Sequence, residues 1–146
     1  MMDITLREID RSNWEACCSL KVAPSQRNFV AINAYSLAQA AYEPDTFPMG
    51  IFCDGTLVGF LMWDFDSQIG VWEMCRLMVD ETHQGKGIGR TAVSKLLTLV
   101  RNKLGPIRFY TSADPDNTAA IGLYEALGFR KNGQIVYDEV MLEIQL

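Results

Sequence analysis

The chain has 146 residues, 49% of them hydrophobic, which suits one compact domain with its own core and excludes a disordered or disulfide-stapled chain. Its formal charge of −5 leaves no electrostatic footprint for nucleic acid or an anionic membrane surface, and it is compatible with a cationic small substrate. No apolar run is long enough to span a bilayer and the start, MMDITLREIDRSNWEA, has no signal character, so a cytoplasmic protein is expected.

Ile4 to Ile9 alternates apolar and polar residues, the pattern of a first strand. SNWE from Ser12 reads as a capping box, with Ser12 capping a helix and Glu15 reaching back; the helix is expected to run to about Val22, stopped by Pro24. Asn33 is placed to cap a second helix through AYSLAQAAY, ended by Pro44. MGIFCDGTLVGFLMWDF is a hairpin about the Asp54-Gly55 turn, and VWEMCRLMVD is a further strand.

From Gly87 to about Leu104 the apolar residues Ile88, Ala92, Leu96, Leu99 and Val100 fall at helical spacing, until Gly105-Pro106 breaks the pattern. IRFYTSA is strand-like, Asn117 is placed to cap a helix reaching Leu127, and Gly128 ends it. Two closing strands are expected near Gly133–Val136 and Val140–Leu146. The order β-α-α-β-β-β-α-β-α-β-β predicts a mixed sheet with helices on both faces, not the regular alternation of a doubly wound nucleotide fold.

The four cysteines, Cys17, Cys18, Cys53 and Cys75, form no C-x-x-C pair, and His83 is the only histidine. Ligand spacing for a metal is absent, so none is expected, and the cysteines read as buried hydrophobes in a reducing compartment.

HQGKGIGRTA, His83 to Ala92, carries Gly85, Gly87 and Gly89 on alternate positions ahead of a helical stretch. Glycines let backbone N–H groups approach an anion closely, and the helix that follows adds its positive end. A Walker A loop is excluded because Lys86 is followed by Gly87, not by Ser or Thr. A dinucleotide fingerprint fits poorly, since the spacing is G-x-G-x-G and the loop comes late in the chain. A plain turn before a helix remains the alternative.

The segment EMCRLMVDETHQGKGIGR, Glu73 to Arg90, resembles the central motif of the GCN5-related N-acetyltransferase superfamily, Gln/Arg-x-x-Gly-x-Gly/Ala. NTAAIGLYEALGF, Asn117 to Phe129, is similar to that family's second motif, an Asn followed by a helix ending in Tyr-Glu-x-x-Gly-Phe. The resemblance covers essentially the whole chain. It implies one acetyltransferase domain over residues 1–146, an α/β fold of mixed α+β kind, and a largely antiparallel sheet of about seven strands.

The co-substrate so implied is acetyl-CoA. Gly85, Lys86, Gly87, Ile88, Gly89 and Arg90 would hold the pyrophosphate, with Gln84 shaping the turn. Leu77, Met78 and Val79 would pair with the pantetheine arm in the manner of an added strand, and a backbone N–H there would polarise the acetyl carbonyl. Asn117 would contact the cofactor, cap its helix, or do both.

Tyr124 matches the family's tyrosine near the CoA sulfur; its phenol, with a pKa of about 10, stays protonated and can protonate the leaving thiolate. Glu73, eleven residues before Gln84, matches the spacing of the glutamate base in histone-type members, and would act through water or after burial raises its pKa. An acceptor-binding role for Glu73 stays open, and His83 is a weaker base candidate because it precedes the loop. Without a histidine partner for any cysteine, direct attack by an amine in a ternary complex is expected.

The acceptor is less legible. NFVAINAYSLAQAAYEPDTFPMGIFCDGTLVGFLMW is similar to the corresponding region of bacterial spermine/spermidine acetyltransferases. Tyr35, Tyr42 and Glu43, with Asp45, Asp64, Asp66, Asp138 and Glu139, offer aromatic faces and carboxylates for a polyamine. Another small amine (an aminoglycoside or amino acid), a protein amine, and a non-catalytic acyl-CoA-binding module are the alternatives. A homodimer through a sheet edge or the tail VMLEIQL is compatible with the resemblance, and that tail reads equally as an internal strand.

Overall fold

A computed structural model describes all 146 residues. Its strands are β1 (Ile4–Glu8), β2 (Thr46–Cys53), β3 (Thr56–Asp66), β4 (Val71–Val79), β5 (Arg108–Ala113), β6 (Arg130–Val136) and β7 (Glu139–Gln145). Its α-helices are α1 (Trp14–Ser19), α2 (Asn33–Tyr42), α3 (Ile88–Leu104) and α4 (Thr118–Ala126), and they interleave with the strands in the expected order. One seven-stranded sheet runs β1-β2-β3-β4-β5-β7-β6. Every neighbouring pair is antiparallel except β4 and β5. The tail is thus an inner strand, with β5 on one side and β6 on the other.

The parallel seam between β4 and β5 positions the site. It holds only at Glu73↔Tyr110 and Met74↔Thr111, after which the two strands part. Cys75 is an extra residue on β4, since Met62 pairs with Arg76 and Trp63 with Met74. Such a bulge bends a strand and increases its twist. Thr111 pins the last closed rung by donating its hydroxyl to Met74 O at 3.0 Å.

Helices cover both faces. α3 buries Ile88, Ala92, Val93, Leu96 and Val100 against the larger core, which also takes in Tyr124 and Phe129 of the α4 region. Full burial of one such aliphatic side chain contributes about 1.5–3 kcal/mol. On the other face Cys17, Phe60, Met62 and Met78 form a smaller core under α1 and α2.

Three local expectations are corrected. Ser12 does not cap α1: its hydroxyl donates to Asp10 Oδ1 at 2.6 Å, and the helix runs only from Trp14 to Ser19, short of Val22, because Leu20 is already extended. Asn33 does not cap α2 but lies in its first turn, where its buried amide donates to Cys17 O at 2.9 Å and ties the two helices together. β6 begins at Arg130 rather than near Gly133, because Gly133 (φ +84°) lies inside an irregularity of its pairing with β7 and divides the strand's pattern. The Asp54-Gly55 turn is as expected: both residues have positive φ, as a tight two-residue hairpin requires.

Candidate active site at the parted strands

A cleft of about 750 Å³ opens where β4 leaves β5. Of the cofactor candidates, Leu77, Met78, Val79, Gln84, Gly85, Gly87, Ile88, Gly89, Arg90, Asn117 and Tyr124 line it. Lys86 is exposed outside its wall. Glu73 lies just beyond the wall, next to Met74, and is 8% exposed. Tyr35, Tyr42 and Glu43 are on or beside α2, exposed and away from this lining.

The glycine loop is held open by backbone conformation. Gly85 (φ +77°) and Gly87 (φ +81°) are left-handed, a region that other residues enter only at a cost of about 1–2 kcal/mol. Gly89 has ordinary room, with Leu123 and Val79 side chains 3.7 Å from where a Cβ would stand. The amides of Gly85 through Arg90 donate to no other group of the chain. Gathered at the start of the 17-residue α3, they form a row of free donors with the helix's positive end behind them. A pyrophosphate fits this donor set.

Along the opposite wall, the edge of β4 beyond Met74 has no strand partner, which suits an extended, amide-containing arm. Gln84 braces the loop, donating to Gln26 Oε1 at 2.8 Å and to Val79 O at 2.9 Å. His83 also lines the cleft, with Nδ1 2.9 Å from Thr82 Oγ1 and 4.0 Å from Asp80 Oδ2.

Asn117 caps α4 by accepting from the Ala120 amide at 3.3 Å. The helix ends at Gly128 (φ +105°), where the amides of Leu127 and Phe129 both return to Tyr124 O, at 3.0 and 3.1 Å. Tyr124 is thereby fixed at both main chain and ring, its centroid 5.8 Å from that of Phe129. Burial pushes its phenol up to about 12 despite a hydrogen bond with Thr111, so the ring holds its proton at neutral pH.

The face of the sheet that carries Glu73 is acidic. Asp64 pairs with Glu73 in register, Asp66 follows on β3, and Glu139 lines the cleft while accepting from Ser112 Oγ at 2.8 Å. Burial, then the charge of Asp64, pushes the Glu73 carboxyl far above the usual carboxylate range, and burial also raises Asp64. Tyr137 Oη, from the β6–β7 turn, lies 3.1 Å from Asp66 Oδ2 and 2.9 Å from Gln68 Oε1.

Sequence reasoning missed Arg76. Its guanidinium donates to Ser36 Oγ at 3.2 Å, Gln39 Oε1 at 2.9 Å and Cys75 O at 2.9 Å, locking α2 onto the cleft wall. A basic residue inside an apolar strand, with Ser36 and Gln39 three apart on a helix, was the available signal. The wall formed by Gln26, Phe29 and Val30 was also missed, and nothing in its composition marks it.

Residues 6–129 match the model of the Acetyltransferase (GNAT) family. The chain belongs to this family. It is an acetyl-CoA-dependent N-acetyltransferase of GNAT fold. A spermine/spermidine N(1)-acetyltransferase of Bacillus subtilis is 30% identical over 144 residues, 94% of each chain. Among solved structures, a spermidine N-acetyltransferase from Vibrio cholerae in complex with CoA and spermine superposes with a TM-score of 0.74 at 17% identity, covering 98% of this chain and 95% of that one. An aminoglycoside acetyltransferase in complex with coenzyme A gives a TM-score of 0.80 at 18% identity, covering 98% and 95%. Such low identities speak for the shared fold alone. No group of three or more His, Cys, Asp or Glu side chains is assembled as a metal site. No helix is long and apolar enough to cross a membrane.

Proposed function

We propose that residues 1–146 form a single N-acetyltransferase domain that transfers acetyl from acetyl-CoA to a polyamine of the spermidine or spermine type, in the cytoplasm. The observation that carries this reading is the acidic face beside the cleft, where Asp64, Asp66, Glu73 and Glu139 gather and Arg76 is spent on α2. A polycation suits that face through ion pairing. The B. subtilis relative, spanning 94% of both chains, supports the same substrate class.

Acetyl-CoA supplies the activated acetyl group as a thioester. In this reading the loop amides from Gly85 to Arg90 hold the pyrophosphate with Gln84 fixing the turn, the free edge of β4 at Leu77–Val79 aligns the arm, and Asn117 contacts the cofactor from the cap of α4. Glu73 takes one proton from the acceptor ammonium, and the resulting amine attacks the acetyl carbon. Tyr124 gives its proton to the departing sulfur and is replenished by the second proton that the nitrogen sheds. The N–C bond forms as the C–S bond breaks, leaving amide, thiol and one released proton. Tyr35, Tyr42 and Glu43 serve a distal part of a long acceptor.

A panel of polyamines, aminoglycosides, amino acids and peptides with thiol-release detection tests the reading. The expected result is the highest kcat/KM for a polyamine. Preference for an aminoglycoside, amino acid or peptide amine overturns the acceptor, and coenzyme A binding without any acetylated product overturns the enzymatic reading.

A further inference from the structure

Asp64 and Glu73 stand opposite each other on adjacent strands, each 8% exposed. Neither makes an ion pair with a lysine, arginine or histidine. Asp64 Oδ1 is sealed from solvent and meets no hydrogen-bond donor. A buried carboxylate oxygen without a donor costs several kcal/mol, and a second carboxylate beside it adds repulsion. A proton between the two removes both penalties, since one carboxyl becomes a donor and the other its acceptor.

The one cation facing the pair, Arg76, spends its hydrogen bonds elsewhere. Thr46 lies opposite Asp64 on β2 and Tyr110 opposite Glu73 on β5. α2 carries no acidic or basic side chain over Asn33–Tyr42. The other ionisable groups facing the pair are Asp66, Cys75, Arg76 and Tyr137, and the donors of Arg76 point to Ser36, Gln39 and Cys75 O.

We propose that Asp64 and Glu73 share one proton in the free enzyme, and that Asp64 is the positioning residue that sets the basicity of Glu73. The positive charge of an arriving ammonium then takes the place of the shared proton, which leaves to solvent. When the ammonium passes a proton to Glu73, the pair regains the single proton with which it began, and the neutral amine is left beside it. Protons balance: one leaves on binding and one returns on transfer. The use of the pair in turnover rests on Glu73 being the base proposed above; the shared proton does not.

Infrared spectroscopy of the free wild-type enzyme at neutral pH tests the pair without any acceptor. A protonated-carboxyl C=O stretch is expected; it should vanish in Glu73→Gln and change frequency in Asp64→Asn, which leaves Glu73 buried but takes away the partner of its proton. Absence of the band in wild type, or its persistence in Glu73→Gln, overturns the shared proton. The role of Asp64 is read from the acidic limb of kcat/KM against pH. Asp64→Asn should move that limb to lower pH, a relative gain of about tenfold for each unit moved, and a limb that stays in place overturns the role. If the band behaves as expected and no amine is acetylated, the shared proton stands and the proposed function falls.

Discussion

Gln84 donates to Gln26 across 58 residues of sequence, so the glycine loop is braced by the segment between α1 and α2. The same side-chain nitrogen reaches Val79 O, which joins the loop to the end of β4. Gln84→Ala removes both bonds at a cost of about 1 kcal/mol each. The expected outcome is a KM for acetyl-CoA raised by roughly fivefold or more, with kcat largely kept. Steady-state kinetics at saturating acceptor checks this, and an unchanged KM would show that the brace is irrelevant to cofactor binding.

Gly87→Ala forces a Cβ onto a residue at φ +81°. Space is not the obstacle, since nothing lies within 4 Å of where the Cβ would stand. The backbone is, at about 1–2 kcal/mol. A lower Tm is expected, together with weaker coenzyme A binding by calorimetry, because relaxing φ turns the free amides away from a common point. Unaltered Tm and affinity would mean that the left-handed turn is not required.

Tyr124→Phe keeps the ring packed against Phe129 and deletes only the hydroxyl. A general acid typically contributes 10²–10⁴-fold. A fall in kcat of about a hundredfold or more is therefore expected, with coenzyme A affinity within about threefold of wild type. Product release measured in single-turnover and steady-state modes checks it; undiminished kcat would remove Tyr124 as the acid.

The raised Glu73 carboxyl also makes a stability prediction. In the unfolded chain a glutamate ionises near pH 4.3. In the fold, burial and Asp64 hold the proton on Glu73 well above that. The folded state therefore binds more protons over the intervening range, so this group's stabilisation is present in acid and is lost as pH rises towards the folded value. Relative to Glu73→Gln, which has nothing to titrate there, wild type should lose at least ~3 °C of Tm between pH 5 and pH 8. Calorimetric scans of both proteins across that window decide it, and parallel curves refute the raised carboxyl.

Much of the fold was legible because its elements are long and strongly patterned. α3 shows five buried residues at helical spacing, and the Asp54-Gly55 hairpin is a two-residue signal with a steric cause. The failures at Ser12 and Asn33 share a physical reason: each side chain had a better partner than its helix end, Asp10 for one and Cys17 O for the other. Asp10 is local and stands two residues before Ser12 in the sequence, whereas Cys17 O reaches Asn33 only through tertiary packing.

The donor side of the site was legible for a similar reason. Loop amides, left-handed glycines and the α4 cap are all local in sequence. The acceptor side was not, because its key relationships cross the sheet. Asp64 is set against Glu73 by strand register, and Arg76 meets Ser36 and Gln39 only because the bulge at Cys75 turns that stretch of β4. One residue more or fewer between β3 and β4 would change each of these neighbours.

Two residue pairs are all that rivet β4 to β5. The sheet divides into two plates, β1 to β4 and β5 to β7, hydrogen-bonded to each other at one short weld and bridged otherwise by the core they share. Beyond the weld the plates part, and a long, thin molecule can be slid in edgewise. Coenzyme A filling the gap would act as grout, and the stiffness of the loaded enzyme would belong as much to its cargo as to its chain.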